Sequence, residues 1–152
     1  MDGGLEAFIV EAKAQTYVGA GRSAAPSRSG AHDLVYIRGD WIYRDSYFGG
    51  TDFIGQETVW HKNEPVWSMV YHGFILVPDV IDAWRAGETI RSALTEMYKS
   101  GRFLGGFEWT GPFGRYVDVS TGDVFRFQGR EHIETDGVEA YALNYSGGLI
   151  IP

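Results

Sequence analysis

The stretch GQETVWHKNEPVWSMVYHGFILVP (residues 55–78) returns 74 residues later as GREHIETDGVEAYALNYSGGLIIP (129–152). Gly55/Gly129, Glu57/Glu131, Tyr71/Tyr145, Gly73/Gly147 and Pro78/Pro152 are identical at this spacing. Phe53/Phe127, Val59/Ile133, Trp67/Tyr141, Met69/Leu143 and Ile75/Leu149 match in apolar kind. Such a repeat limits the architecture, because a supersecondary unit that cannot bury its own apolar face must bury it against its copy.

The rest of the chain gives the unit its contents. In LEAFIVEAKAQTYVGAG, Leu5, Phe8, Ile9 and Ala12 fall on one helical face, and Gly19 is placed to end the helix. The small, breaker-rich residues 19–31 read as a mobile loop. Period-two alternation follows in DLVYIRG, DWIYRDSYFGG, DFIGQETVWHKN and PVWSMVYHGFILV, separated by hairpin-type breaks. In PDVIDAWRAGETIRSALTEMYKSG, Asp79 suits the cap of a short helix that Gly87 closes. Ile90, Ala93, Leu94, Met97 and Tyr98 then form an apolar helical face that Gly101 stops. GGFEWTG, GRYVDVSTG, DVFRFQGREHIETDG and VEAYALNYSGGLII are strands again. The expected fold is α+β: one domain over residues 1–152, with an internal repeat (5–78 and 88–152). Its duplicated α-β4 halves form a largely antiparallel, curved sheet of about eight strands packed on helices.

Function classes narrow quickly. At 152 residues, 44% hydrophobic and 15% aromatic, the chain can bury a core. No apolar run reaches the ~20 residues of a membrane span, and MDGGLEAF lacks the order of a signal peptide. With no cysteine there is neither disulfide nor thiolate site, so a cytoplasmic protein is expected. A formal net charge of -7 with scattered Lys and Arg argues against direct nucleic-acid binding. The Gly-x-Gly of residues 19–21 follows a helix, so it is not a dinucleotide fingerprint. No paired-histidine metal spacing, Gly-x-Ser-x-Gly elbow or P-loop occurs, so no metal and no cofactor is expected.

Strand alternation singles out the chemistry. Phe53, Gly55, Glu57 and Val59 share one face, and Phe125, Phe127, Gly129, Glu131 and Ile133 share another. Each glutamate therefore stands in an apolar row, where it must be paired, hydrogen-bonded or protonated. Tyr71 and Tyr145 on the following strands are the nearest partners. Trp41, Tyr43, Asp45 and Tyr47 make an aromatic wall holding one acid. One reading is a Glu–Tyr or Glu–backbone bond that pins the sheet in both halves. The other is a carboxylate of raised pKa in a pocket. His32 and Asp33, where the glycine-rich loop enters the first strand, are a further candidate pair.

GAHDLVYIRGDWIYRDSYFGGTDFIGQETVWHKNEPVWSMVYHG, GRFLGGFE and AYALNYSGGLI closely resemble a bacterial domain family of unknown function, with DSYFGGTDFIGQE followed by PVWSMVYHG as the most specific element. The resemblance spans about residues 7–151. It implies a domain that occurs alone or attached to helix-turn-helix regulators, hence a ligand-sensing module. It marks His32, Asp33, Tyr47, Gly49, Gly50, Gly55, Glu57, Trp60, Trp67, Tyr71, Gly73 and Tyr145 as family-like.

Three functions are expected from these observations. The first is a small-molecule-binding domain with Glu57 as polar anchor. Its pocket is lined by Trp41, Tyr43, Tyr47, Trp60, Trp67, Tyr145 and Glu131, and residues 19–31 close over it. The second is a cofactor-free isomerase, lyase or cyclase, in which Glu57 moves a proton with Tyr71 or His32–Asp33. The third is a homodimeric interaction module.

Overall fold

The computed structural model describes residues 2–18 and 22–152. Gly19, expected to end the first helix, lies outside the described residues with the start of the glycine-rich segment.

Helix α1 (Asp2–Lys13) runs into a π-helical turn (Ala14–Val18). Then come β1 (Arg22–Ala24), β2 (His32–Arg38), β3 (Trp41–Gly49), β4 (Phe53–His61) and β5 (Glu64–Ile75). Helix α2 (Ala83–Lys99) leads to β6 (Phe107–Gly111), β7 (Gly114–Asp123), β8 (Arg126–Thr135) and β9 (Val138–Leu149). The strands form one open antiparallel sheet in the order β1-β2-β3-β4-β5-β9-β8-β7-β6. Two meanders therefore meet at a β5–β9 seam, where Tyr71 lies directly opposite Tyr145.

The strand count is nine rather than about eight. The extra strand, β1, lies in the segment expected to be a loop. Its Arg22–Ala24 backbone bonds to the edge of β2 over three residues, which needs no apolar alternation. Ser27 and Arg28 are bonded to Ser46 on β3 (both 3.1 Å). That ties this part of the segment to the face opposite Asp45 rather than over it.

Helix α2 is also longer than expected. Asp82, not Asp79, is its N-cap: it has an extended backbone and accepts from the Arg85 N–H at 2.8 Å. The helix passes through Gly87, while residues before it turn on Val77 through bonds from Val80 and Ile81. It ends as expected, with Gly101 in the left-handed region (φ 77°).

The hairpins follow their turn chemistry. Lys62-Asn63 and Asp136-Gly137 have φ values of 53°, 67°, 52° and 77°, the doubly left-handed geometry that a two-residue turn between twisted strands needs. The core lies between one face of the sheet and the two α-helices. Leu5, Phe8, Ile9 and Ala12 of α1 and Ile90, Ala93 and Met97 of α2 are at most 3% exposed. They meet Tyr43, Val59, Trp67, Tyr116, Ile133 and Tyr141, which are at most 1% exposed. Neither helix is long and apolar enough to cross a membrane.

Candidate functional site

Register places four carboxylates on the covered face. Asp45 on β3 pairs with Glu57 on β4, which pairs with Met69 on β5. On the other side of the seam, Asp118 on β7 pairs with Glu131 on β8, which pairs with Leu143 on β9. All four acids are at most 6% exposed. At the centre, the Tyr71 and Tyr145 rings lean across their neighbouring strands over Gly55 and Gly129. A methyl group at either glycine would overlap a phenol ring, which accounts for the retained Gly/Tyr pairs. Leaning this way, Tyr71 donates to Asp45 Oδ1 (2.5 Å) and Tyr145 to Asp118 Oδ1 (2.7 Å).

The two glutamates are held differently. The Lys13 ammonium, at the end of α1, donates to both oxygens of Glu57 (2.8 and 2.9 Å). It also lies 5.3 Å from the centre of the Phe103 ring. Tyr43 donates a third bond, to Oε1 of the same carboxylate. Glu131 has no ammonium partner among the described residues. Tyr116 donates to its Oε2 and Tyr141 to its Oε1 (3.0 Å).

Burial, and then the charge of Asp118, pushes the Glu131 carboxyl up to about 7. Burial, and then the charge of Glu57, pushes Asp45 up to about 7. Burial pushes Asp118 up to about 6 against the opposing bond from Tyr145. The hydroxyls of Tyr43, Tyr116 and Tyr141 stay protonated far into alkali, through burial and then the adjacent glutamate. They are fixed donors to these acids.

A cavity of about 400 Å³ opens beside all four acids, between the sheet, the π-helical turn and α2. Lys13 and Tyr17 line it from the first helix, and Ile90, Leu94 and Tyr98 from the second. Its exposed lining residues are Gly49, Gly50 and Thr51 at the β3–β4 hairpin and Ala83, Trp84 and Arg91 on α2, which marks the mouth. Glu57 Oε1 is taken by Lys13 and Tyr43, and Oε2 by Lys13. Asp45 and Asp118 differ from it: among the described residues each accepts a side-chain bond at Oδ1 alone, from Tyr71 and Tyr145, and both line the cavity. The chemistry available is a set of buried acids poised near neutrality, facing a largely apolar hollow.

Of the residues singled out from sequence, Glu57, Tyr71, Tyr43, Tyr47, Tyr145 and Glu131 line this cavity. The others lie elsewhere. Trp67 is in the core, its indole N–H donating to the Val124 carbonyl (3.0 Å). Trp41 stacks between Phe8 (5.4 Å) and His61 (4.2 Å). Trp60, paired with Ile42 and facing a bulge at Val66 of β5, points away from Glu57. His32 is exposed and packs on Tyr47 (5.1 Å). Asp33 is on the opposite face, bonded to Arg44 (2.6 Å) and Ser46 (2.9 Å). Burial works against its charge, but bonds from Ser27, Arg44 and Ser46 outweigh it and hold the carboxyl below the usual range. His32 and Asp33 do not form a unit with Glu57.

Sequence reading missed Lys13, Asp118, Tyr116, Tyr17 and Tyr98. Asp118 and Tyr116 left a signal at a different spacing. Tyr43-x-Asp45 recurs as Tyr116-x-Asp118 at 73 residues, and Gly49 (φ 92°) recurs as Gly122 (φ 89°). The chain has one residue more between Gly122 and Phe127 than between Gly49 and Phe53, which restores the spacing of 74 beyond it. Lys13 gave no signal, since a lysine at the end of an amphipathic helix ordinarily faces water.

The chain belongs to the family described as Domain of unknown function (DUF5680), whose model matches residues 45–150. That span holds all four cavity acids. No curated protein and no solved structure matches the chain.

Proposed function

We propose that this member of the DUF5680 family is a small-molecule-binding domain whose ligand occupies the hollow between the sheet and α2. The observation that carries this reading is the cavity of about 400 Å³ with the Asp45 carboxylate in its wall, one oxygen uncommitted. A hollow of that size with a few polar groups among apolar ones is how small ligands are usually held. The anchor moves from Glu57 to Asp45, because Lys13 and Tyr43 occupy Glu57. Descent of both flanks from one duplicated α-β4 unit accounts for the paired acids. In its sensor form this reading adds a helix-turn-helix partner, as the sequence resemblance implies.

Thermal-shift screening of a metabolite library tests it. A ligand at 100 times its Kd contributes about 2.7 kcal/mol, a shift of several degrees. Leu94→Trp, which fills the hollow from α2, abolishes that shift. A library that leaves Tm unmoved overturns the reading.

A second reading has its own support. Asp45, titrating at about 7 and bonded to Tyr71, is suited to give or take a proton near neutral pH. In that enzyme, Asp45→Asn abolishes turnover and leaves Tm unchanged or higher. Full turnover in the variant removes Asp45 from the chemistry, and Glu57→Gln applies the same test to Glu57.

A further inference from the structure

The ion pairs among the described residues leave a surplus of one sign in the hollow. Lys13 is spent on Glu57, and that pair is neutral as a unit. None of the other pairs includes Asp45, Asp118 or Glu131. Arg91 at the mouth is paired with Glu88 on its own helix (2.5 Å). Three buried carboxyls thus face one cavity with tyrosine hydroxyls, and no cation of their own, as close partners.

Two further observations point to what completes the set. Asp45 is 5% exposed and lines the hollow, and its Oδ2, like that of Asp118, takes no hydrogen bond among the described residues. The molecule also contains the solution it uses for such an acid: next to Asp45 in register, Glu57 receives an ammonium on both oxygens. The remaining walls are apolar and aromatic, with Leu34, Tyr47, Phe53, Ile90, Leu94 and Leu143 on several sides. Aromatic faces attract cations, and the aliphatic residues accept a hydrocarbon body.

We propose that the cavity takes an organic cation, an ammonium carried on an apolar or aromatic body, with the ammonium docked on Asp45 Oδ2. This rests on the small-molecule reading and names its ligand class. An ammonium supplies the donors and the charge that burial makes costly to leave out, whereas a carboxylate ligand would add a further negative charge to an acidic hollow. A neutral ligand could fill the space but would leave the charges uncompensated.

Isothermal titration calorimetry with three probes of one shape tests the class: 2-phenylethylamine, 2-phenylethanol and phenylacetate, at pH 7.5, on the full chain. The amine binds at least tenfold more tightly than the alcohol, and phenylacetate is weakest. Asp45→Asn removes at least tenfold of the amine's affinity and spares the alcohol, while Leu94→Trp removes both. An alcohol or acid that binds as well as the amine overturns the cation and leaves the cavity reading standing, and an amine preference that survives Asp45→Asn overturns the docking on Asp45. If none of the three binds and the metabolite library also leaves Tm unmoved, both readings fall. The wild-type ranking stands by itself if the Asn variant does not fold.

Discussion

Glu57 and Glu131 occupy matching places on the two flanks of one sheet. Each pairs with an aspartate on one side and an apolar residue on the other, and each accepts from a tyrosine two residues before that aspartate. Glu57 carries an ammonium and Glu131 does not. The difference traces to two substitutions of role. The first helix brings Lys13 to its flank. On the second, Tyr141 stands where the repeat has Trp67, and its hydroxyl goes to the glutamate while the Trp67 indole goes to a backbone carbonyl. One flank keeps a buried carboxylate by pairing its charge, the other by surrounding it with hydroxyls and raising its proton affinity. A repeated residue therefore need not have repeated surroundings, because the groups that meet it, Lys13 on one flank and Tyr141 on the other, are not themselves repeated.

Breaking the ion pair has the largest expected effect. Lys13→Met strands a buried carboxylate and costs about 3–5 kcal/mol in urea denaturation, whereas the Lys13→Met/Glu57→Gln double variant regains most of it. A loss below about 1 kcal/mol would make the two flanks electrostatically alike. Next are Gly55→Ala and Gly129→Ala, each costing about 1–3 kcal/mol because the methyl meets the Tyr71 or Tyr145 ring. Similar costs confirm that the flanks share their packing though not their charge, and strongly unequal ones break that equivalence.

Each flank also holds an acid that titrates late. Glu131 and Asp45 are raised to about 7 when folded, so between pH 5 and pH 8 the native state holds protons that the unfolded chain has released. Stability accordingly falls as pH rises through 6–7, with Tm dropping on the order of 5 °C. Asp33 and Glu134 are lowered and act in the opposite sense, but their contribution is complete above about pH 5. Glu131→Gln flattens the Tm profile; an unchanged slope in that variant would place the titration elsewhere. The smallest effect belongs to His32→Ala, within about 0.5 kcal/mol, since the ring is exposed and touches Tyr47 only at the margin of the site.

Alternation revealed the inward rows, and the identical Gly/Tyr pairs revealed where rings cross strands, because both are local consequences of a pleated backbone. The fixed spacing of 74 failed at β7, where one residue more between Gly122 and Phe127 than between Gly49 and Phe53 shifts the match to 73 and hides Asp118 and Tyr116. Residues 22–24 looked like a loop because edge pairing uses backbone groups that any side chain permits. Lys13 was out of reach for a deeper reason: which buried acid a helix-end lysine meets depends on how the helix lies across the sheet. The tryptophans misled because size and aromaticity do not distinguish a ring that fills a core from one that lines a hollow.

The β5–β9 seam also bears on how the molecule forms. Every other pairing in the sheet joins consecutive strands, and such local contacts are quick to make. The seam joins Tyr71 to Tyr145, 74 residues apart, so it closes against a larger loop entropy than any hairpin. Either meander can assemble before it, but the hollow needs acids from both. By loop entropy the hollow is thus the last thing to form as the chain folds, and its completion requires that the two meanders have found each other.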